Sequence, residues 1–168
     1  MLKPKIESIL NSQIGKELYS SLLYLSMASW AEHTGYAGIA KWLYAQAEEE
    51  KLHMLKFVNY INDRGGHAII PAVEQPPVKH GTVKEMFESV LEHENKVTEW
   101  INDIVAATIE QKDFTTQNWV QWFVTEQIEE EASVKEILDK LHMLNGENMY
   151  MFDRDILSMR TQSATPAK

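Results

Sequence analysis

Cysteine is absent from this chain of 168 residues. Its absence excludes disulfides, iron–sulfur clusters and thiolate zinc sites, so a bound metal would depend on oxygen and imidazole ligands. Such ligands suit iron, manganese or zinc. Glycine and proline are also scarce, with 7 and 5 residues, and they cluster between positions 65 and 81. The rest of the chain therefore contains few breaks in regular secondary structure.

Long apolar runs and an excess of basic residues are lacking too. No apolar stretch approaches the length needed to cross a bilayer, and the first residues do not resemble a secretion signal. The 16 Lys and Arg residues are outnumbered by 25 Asp and Glu residues, which gives a net charge of −9. This balance argues against a nucleic-acid partner and favours cations as small ligands. We expect a cytoplasmic protein with neither a membrane nor a nucleic acid as its partner.

The composition, 44% hydrophobic and 24% charged, is that of one ordinary globular domain. Four uninterrupted stretches in it have apolar residues at alternating steps of three and four, which predicts long amphipathic helices. A shorter fifth helix is predicted after the turn at Asn145 and Gly146. The predicted helices cover about 5–33, 38–64, 82–112, 115–144 and 148–160, and the last residues, 161–168, are predicted to form a frayed tail.

Connection lengths fix the expected topology. The first and third connections are short enough to make consecutive helices antiparallel neighbours. The middle connection, residues 65–81, spans some 55 Å when extended, more than the roughly 40 Å length of one helix, so it can cross the whole bundle. The expected fold is all-α: one domain over residues 1–168, with a four-helix bundle at about 5–144, one long crossover and a short fifth helix.

Acidic residues interrupt the apolar stripes of all four helices. Leu or Val would be the structural choice at these positions, and each lies roughly a dozen residues from the start of its helix. Mid-helix positions of near-equal helices meet at one height, so the carboxylates are expected to converge in the core. No Lys or Arg on the stripes offsets their repulsion, whereas two divalent cations would balance four carboxylates. The interrupting acids are Glu17, Glu50, Glu94 and Glu130, and Gln127 takes a further stripe position on the helix of Glu130.

A histidine strengthens this pattern. His53 follows Glu50 by three residues, which makes an E-x-x-H element of the kind found in di-iron carboxylate bundles. With the four helices and the crossover, these residues resemble the ferritins, and most closely the bacterial non-haem ferritins. The resemblance implies a ferritin-like four-helix bundle with a first iron site at Glu17, Glu50 and His53. It also implies a second site at Glu50, Glu94 and Glu130, with Glu50 as the bridge.

Further residues are assigned by the same resemblance. It implies that Gln127 lies beside the second iron and that Tyr24 lies close to the site. It implies a third iron position towards the inner surface, with Glu130 shared, whose ligands are Glu49, Glu126 and Glu129. The fourth helix lacks a second E-x-x-H, and Lys51 occupies the position of the bacterioferritin haem methionine, so we expect no haem. Among the remaining aromatic and histidine residues, Trp122 is expected to flank the site, whereas His93 is expected to be exposed or to cap a helix.

The function implied by the resemblance is iron storage and detoxification. Fe(II) would be oxidised by dioxygen or peroxide at the ferroxidase site and stored as hydrated ferric oxide inside a shell of 24 subunits. The fifth helix carries more apolar side chains than a surface helix needs, which fits packing against other copies of the chain. Two alternatives stay open on sequence alone: a di-iron oxygenase or peroxidase, and a structural bundle that binds no metal.

Overall fold

A computed structural model describes residues 1–160 of the chain; the predicted tail, 161–168, lies outside the described residues. Four long helices, one short helix and a 3-10 turn make up the regular structure of this part. They are α1 (Pro4–His33), α2 (Ala37–Asp63), α3 (Val83–Glu110), α4 (Phe114–Leu144), α5 (Met149–Asp155) and the 3-10 turn η1 (Ile156–Met159). The all-helical prediction is confirmed, and the four long helices begin and end within two residues of their predicted bounds.

Only the first part of the predicted fifth helix is an α-helix. α5 ends at Asp155, and η1 continues the chain as a tighter turn to Met159. Phe152 and Ile156 are buried against the bundle, while Met151 and Leu157 remain partly exposed. The segment is therefore anchored at two points rather than along a continuous helical face.

Local signals account for the helix ends. Pro4 lies in the first turn of α1, where a missing N–H costs nothing. Thr82 and Glu85 form a capping box at the start of α3, as predicted from their spacing. Asn145 ends α4 in the left-handed conformation, with φ of 48°.

The connection between α2 and α3 crosses the bundle along α1. Glu7 and Asn11 accept backbone N–H groups from His67 and Ile69 near one end, with distances of 2.9 and 2.7 Å. Gly15 leaves room for Pro71, because an added Cβ would lie 2.9 Å from the proline ring. Farther along α1, the Ser26 hydroxyl donates to the Pro77 carbonyl over 2.6 Å. The predicted crossover is thus confirmed.

The core is divided into two apolar clusters. One lies where the C-terminal half of α1 meets the N-terminal half of α2, and it includes Trp42, Phe87 and Ile137. The other lies at the opposite end of the bundle and includes Leu10, Phe57 and Ile101. On each long helix, a polar segment of a few residues separates the positions that belong to the two clusters. Within residues 1–160, no helix is both long and apolar enough to cross a membrane.

Candidate metal centre

Buried acidic side chains from all four long helices occupy the layer between the two apolar clusters. Glu17 of α1, Glu50 of α2 and Glu94 of α3 are 1%, 2% and 1% exposed, and Glu130 of α4 is also buried. Each helix places its acid there because the residue takes an inward position of the helical repeat. The structure therefore brings together the acids that interrupt the apolar stripes.

The first compact group of possible ligands is formed by Glu17, Glu50 and His53. One ligand atom from each residue lies within 4.8 Å of the others. Glu50 Oε2 lies 3.4 Å from His53 Nδ1. Gln13 donates to Glu17 Oε1 over 2.8 Å, while Glu17 Oε2 is buried with no hydrogen-bond partner among residues 1–160. Because a buried acceptor without a donor is costly, this oxygen fits a bound cation.

A second compact group lies on the other side of His53. It consists of Glu49, His53, Glu126 and Glu130, again with ligand atoms within 4.8 Å of one another. His53 Nε2 lies 4.0 Å from Glu126 Oε1. Glu129 is exposed and lies outside this group, but it lines a small cavity together with Glu49, Glu126 and Glu130. The residues assigned to the third iron position by resemblance thus share one neighbourhood.

Glu94 is held differently from the other buried acids. Its Oε1 accepts a hydrogen bond from the Tyr24 hydroxyl, and its Oε2 accepts one from Gln127 Nε2 over 3.2 Å. Among the described residues, it belongs to neither compact group. The second site expected from resemblance, with Glu50, Glu94 and Glu130, therefore stays a prediction. Tyr24 and Gln127 lie at the centre, as the resemblance implies, and both contact Glu94.

Burial and mutual repulsion change the acidity of this layer. Burial, reinforced by the Glu50 carboxylate, raises the pKa of Glu17 and of Glu94 to about 8. Burial also raises the pKa of Glu50 to about 7, and burial together with Glu94 raises the pKa of Glu130 well above its usual value. The layer therefore retains protons near neutral pH, and a cation that binds there would displace them. Carboxylates with a single imidazole are a donor set that suits iron.

Aromatic rings close one side of the centre. The rings of Trp122 and Phe123 contact the His53 imidazole edge to face, with centroids 5.4 and 5.9 Å away. The Lys56 ammonium lies 4.0 Å from the Trp122 ring centroid. Trp122 thus flanks the site, as expected from its position one turn before Glu126. The two rings thus pack against the imidazole on that side of the centre.

Two glutamines at the centre were missed in the sequence. Gln13 precedes Glu17 by one helical turn, and Gln46 precedes Glu50 by one turn. Gln46 Nε2 donates to Glu130 Oε2 over 2.8 Å and to Glu50 Oε1 over 3.3 Å. The repeated Gln–Glu spacing of four residues is a signal that could have revealed both, because such pairs face each other on a helix.

The expectation for His93 was wrong. This histidine is buried, and its Nε2 lies 2.7 Å from the Ser20 hydroxyl oxygen. Burial, with a contribution from Lys96, lowers the pKa of His93 to about 4, so the ring is neutral at physiological pH. Its neighbour Glu94 points into the centre, and His93 packs against α1 instead. The sequence did not reveal the burial of His93, because a single histidine forms no spacing pattern that would distinguish a buried position from an exposed one.

Known proteins with similar sequences and folds have the same overall plan. Residues 7–144 match the ferritin-like domain family, and this range ends at the last residue of α4. A probable bacterial non-heme ferritin-like protein from Haemophilus influenzae is 40% identical over 165 residues, which cover 97% of this chain and 100% of that protein. A bacterial non-heme ferritin from Escherichia coli is 38% identical over 165 residues, with the same coverage of 97% and 100%.

The chain belongs to the ferritin family. A solved structure of an open pore ferritin from the archaeon Archaeoglobus fulgidus superimposes with a TM-score of 0.92, at 38% identity over 95% of this chain and 98% of the archaeal chain. The ferritin-like bundle expected from the sequence is therefore confirmed. The agreement extends over nearly the whole chain, so the ferritin fold positions the acidic layer as well as the helices that carry it.

Proposed function

We propose that this protein stores iron, and that it takes up Fe(II) at the buried acidic layer of each subunit. The single observation that carries the proposal is the convergence of carboxylates from all four helices in a core that is otherwise apolar. Such a layer is costly without cations and favourable with them. Membership of the ferritin family supports iron as the cation. The ligands would be Glu17, Glu50, His53, Glu94 and Glu130, with Tyr24 and Gln127 orienting Glu94.

The proposed reaction is the oxidation of two Fe(II) ions by one dioxygen molecule. Two Fe(II) ions supply two electrons, and dioxygen that accepts these with two protons becomes hydrogen peroxide. Hydrogen peroxide is the alternative oxidant, which two electrons and two protons reduce to two molecules of water. Carboxyl groups with raised pKa values release protons when iron binds, so the layer itself can supply protons for this reduction. His53, held between Glu50 and Glu126, would keep the two compact groups in register.

A third iron position would serve the transfer of oxidised iron to the mineral. Its ligands would be Glu49, Glu126, Glu129 and Glu130. The exposed Glu129 at the edge of the small cavity supports a path from the buried layer towards bulk solvent. In this proposal, 24 copies of the chain assemble into a shell, and hydrated ferric oxide forms inside it. The absence of haem and the cytoplasmic location stay predictions from the sequence.

Glu50 offers the sharpest test, because it would bridge two iron ions. Fe(II) is titrated anaerobically by calorimetry, and oxidation is then followed by stopped-flow absorbance after addition of dioxygen. We expect saturable Fe(II) binding by the parent protein and, for Glu50→Ala, oxidation slower by at least ~10–100-fold, the loss found when even residues that only orient a ligand are removed.

Glu48→Ala is the matched control, because it removes the same charge two residues earlier on α2. The Glu48 side chain is 74% exposed and pairs with Lys51 at the surface. This variant should oxidise Fe(II) at the parent rate. Loss of a buried acid relieves repulsion, so Glu50→Ala should retain its helical circular dichroism. Equal rates in Glu50→Ala and Glu48→Ala would remove the basis of the proposal.

A further inference from the structure

Arg160, which follows η1, reaches across the bundle surface to α2. Its guanidinium forms an ion pair with Glu49, and Nη1 donates to Gln46 Oε1 over 3.0 Å. Nη1 also lies 3.4 Å from the Trp42 carbonyl oxygen, and the guanidinium carbon lies 5.6 Å from the Trp42 ring centroid. The side chains of Arg160 and Glu49 are 19% and 13% exposed. A partly buried ion pair with several donors is far more persistent than a surface pair.

The ion pair lies in the small cavity beside the second compact group. The cavity has a volume of about 20 Å³, enough for about one water-sized occupant. Within the described part of the chain, Arg160 is the only cationic residue that lines it. A cation that takes Oε2 of Glu49, the oxygen paired with Arg160, must therefore compete with the guanidinium for it. The lining residues are Gln46, Glu49, Glu126, Glu129, Glu130, Ser133 and Arg160.

Gln46 connects the guanidinium to the buried layer. Because Arg160 donates to Oε1 of this amide, Nε2 must face the opposite direction. Nε2 then donates to Glu130 and Glu50, over 2.8 and 3.3 Å. Arg160 thus fixes which end of Gln46 meets the carboxylates. The same guanidinium contacts one acid directly and two others through a single amide.

The segment that carries Arg160 is unevenly anchored. Ile156 is fully buried, whereas Leu157 and Ser158 are exposed. Besides Arg160, the partly buried Met159 packs against the apolar core, so loss of the Arg160 contacts would weaken the attachment of residues 157–160 while α5 and Ile156 stay in place. The contacts of the guanidinium are therefore local, and they can break without unfolding of the bundle.

We propose that Arg160 is a displaceable latch on the third cation position: it occupies Glu49 and orients Gln46, and a cation that binds Glu49 releases residues 157–160. The inference rests on the proposed function, since it assumes that Glu49, Glu126 and Glu130 accept a cation. Arg160 is a positioning residue that sets the affinity of the third position. Through its displacement, a cation bound at the third position would change how firmly residues 157–160 are held on the bundle surface.

Zn²⁺, which is redox-inert, is the probe for the affinity test. Calorimetric titration of the assembled protein should give Arg160→Gln a weakest class of saturable sites that is about tenfold tighter than in the parent, because the competing charged hydrogen bond is gone. Arg154→Gln is the matched control. It removes the same charge from α5, where Arg154 pairs with Asp155 at the surface. Arg160→Lys keeps a competing charge, so its affinity should return towards the parent value.

Hydrogen exchange provides a readout that does not depend on iron oxidation. Addition of Zn²⁺ should accelerate amide exchange in residues 157–160 of the parent and of Arg154→Gln. Glu49→Gln should show no Zn²⁺-dependent change there, since the cation loses the ligand over which it competes. In the Arg160→Gln variant, exchange in this segment should already be fast before Zn²⁺ is added.

The outcomes separate the two proposals. If the parent binds no Zn²⁺ or Fe(II) in a saturable manner, the proposed function fails. If the parent binds both ions but Arg160→Gln has the parent affinity and the exchange of residues 157–160 ignores Zn²⁺, the latch is wrong and the proposed function stands.

Discussion

Single amide side chains determine how the buried acids are held. Gln13 and Gln46 each donate from Nε2 to an acid one turn later on the same helix, over 2.8 and 3.3 Å. An amide donor stabilises a carboxylate without adding charge, so it leaves the other oxygen available to a cation. A Lys or Arg at these positions would pair with the acids and compete with iron. The glutamines therefore explain how the layer tolerates burial and still attracts cations.

The acids with raised pKa values predict how the metal-free protein responds to pH. Because their pKa values are raised to about 8, Glu17 and Glu94 keep their protons in the folded state up to about pH 8, while the unfolded chain loses them near 4.5, the ordinary pKa of a glutamate. Between these limits the folded state binds more protons, so the free energy of unfolding falls as pH rises. Each such group contributes up to about 1.4 kcal/mol per pH unit. In EDTA, the melting temperature of the parent should therefore fall more steeply between pH 4 and pH 9 than the melting temperature of Glu17→Gln.

Glu48→Gln is the control for this pH series, because its carboxyl is exposed. It should melt with the pH profile of the parent. At pH 8, Glu17→Gln should melt above the parent, and the difference should vanish near pH 4, where both states are protonated. Identical profiles for Glu17→Gln and the parent would contradict the raised pKa of Glu17.

The sequence predicts which residues enter the centre better than it predicts what they touch. Glu17, Glu50 and Glu94 stand on apolar stripes, and a stripe position already implies burial. The contact of Arg160 with Glu49 joins residues 111 positions apart, and no periodicity encodes such a pairing. His93 shows the same difficulty, since its partner Ser20 lies on another helix. Helical repeats thus predict faces, whereas partners across helices depend on tertiary packing.

At the level of elements, Asp153 joins α5 to the start of α2. The Ile39 N–H donates to Asp153 Oδ1 over 2.9 Å, and α2 has no side-chain cap of its own. Gly38 allows this approach, because a Cβ there would overlap the Asp153 carbonyl. Asp153 therefore acts as a cap supplied from another helix. The sequence did not predict this contact, and it also did not predict that the helix ends at Asp155.

Asp153→Ala should remove this cap and loosen α5. The expected cost is about 1 kcal/mol of stability, the usual value of a helix N-cap, together with faster amide exchange in residues 149–159. Asp155→Ala is the control on the same helix, because its carboxylate is exposed and pairs with Arg154 at the surface. Thermal melting and hydrogen exchange would both distinguish them. Equal effects of the two substitutions would show that Asp153 contributes no cap.

At the scale of the whole molecule, exposed apolar side chains along α1 and the crossover offer a surface for contacts between copies of the chain. Leu25, Ile69, Ile70 and Val78 are 45%, 57%, 56% and 62% exposed. Leu25 and Val78 line one groove with Trp30. An apolar groove of this kind is typical of contacts between protein copies, whereas scattered exposed residues such as Ile69 and Ile70, which do not line the groove, need no explanation. In the proposed shell, this face would be covered by another subunit.

Leu25→Glu should therefore disrupt assembly, because it would bury an unpaired charge in a contact between copies. Light scattering after size exclusion should give the parent a mass many times the 19.4 kDa of one chain, and a much smaller mass for the variant. Leu52→Glu is the matched control. Leu52 is 60% exposed, but its neighbours on α2, Glu48 and Lys51, are an exposed ion pair rather than an apolar groove. This control should keep the parent mass. If Leu25→Glu keeps it as well, the groove does not hold the assembly together, and iron storage would depend on contacts elsewhere on the helices.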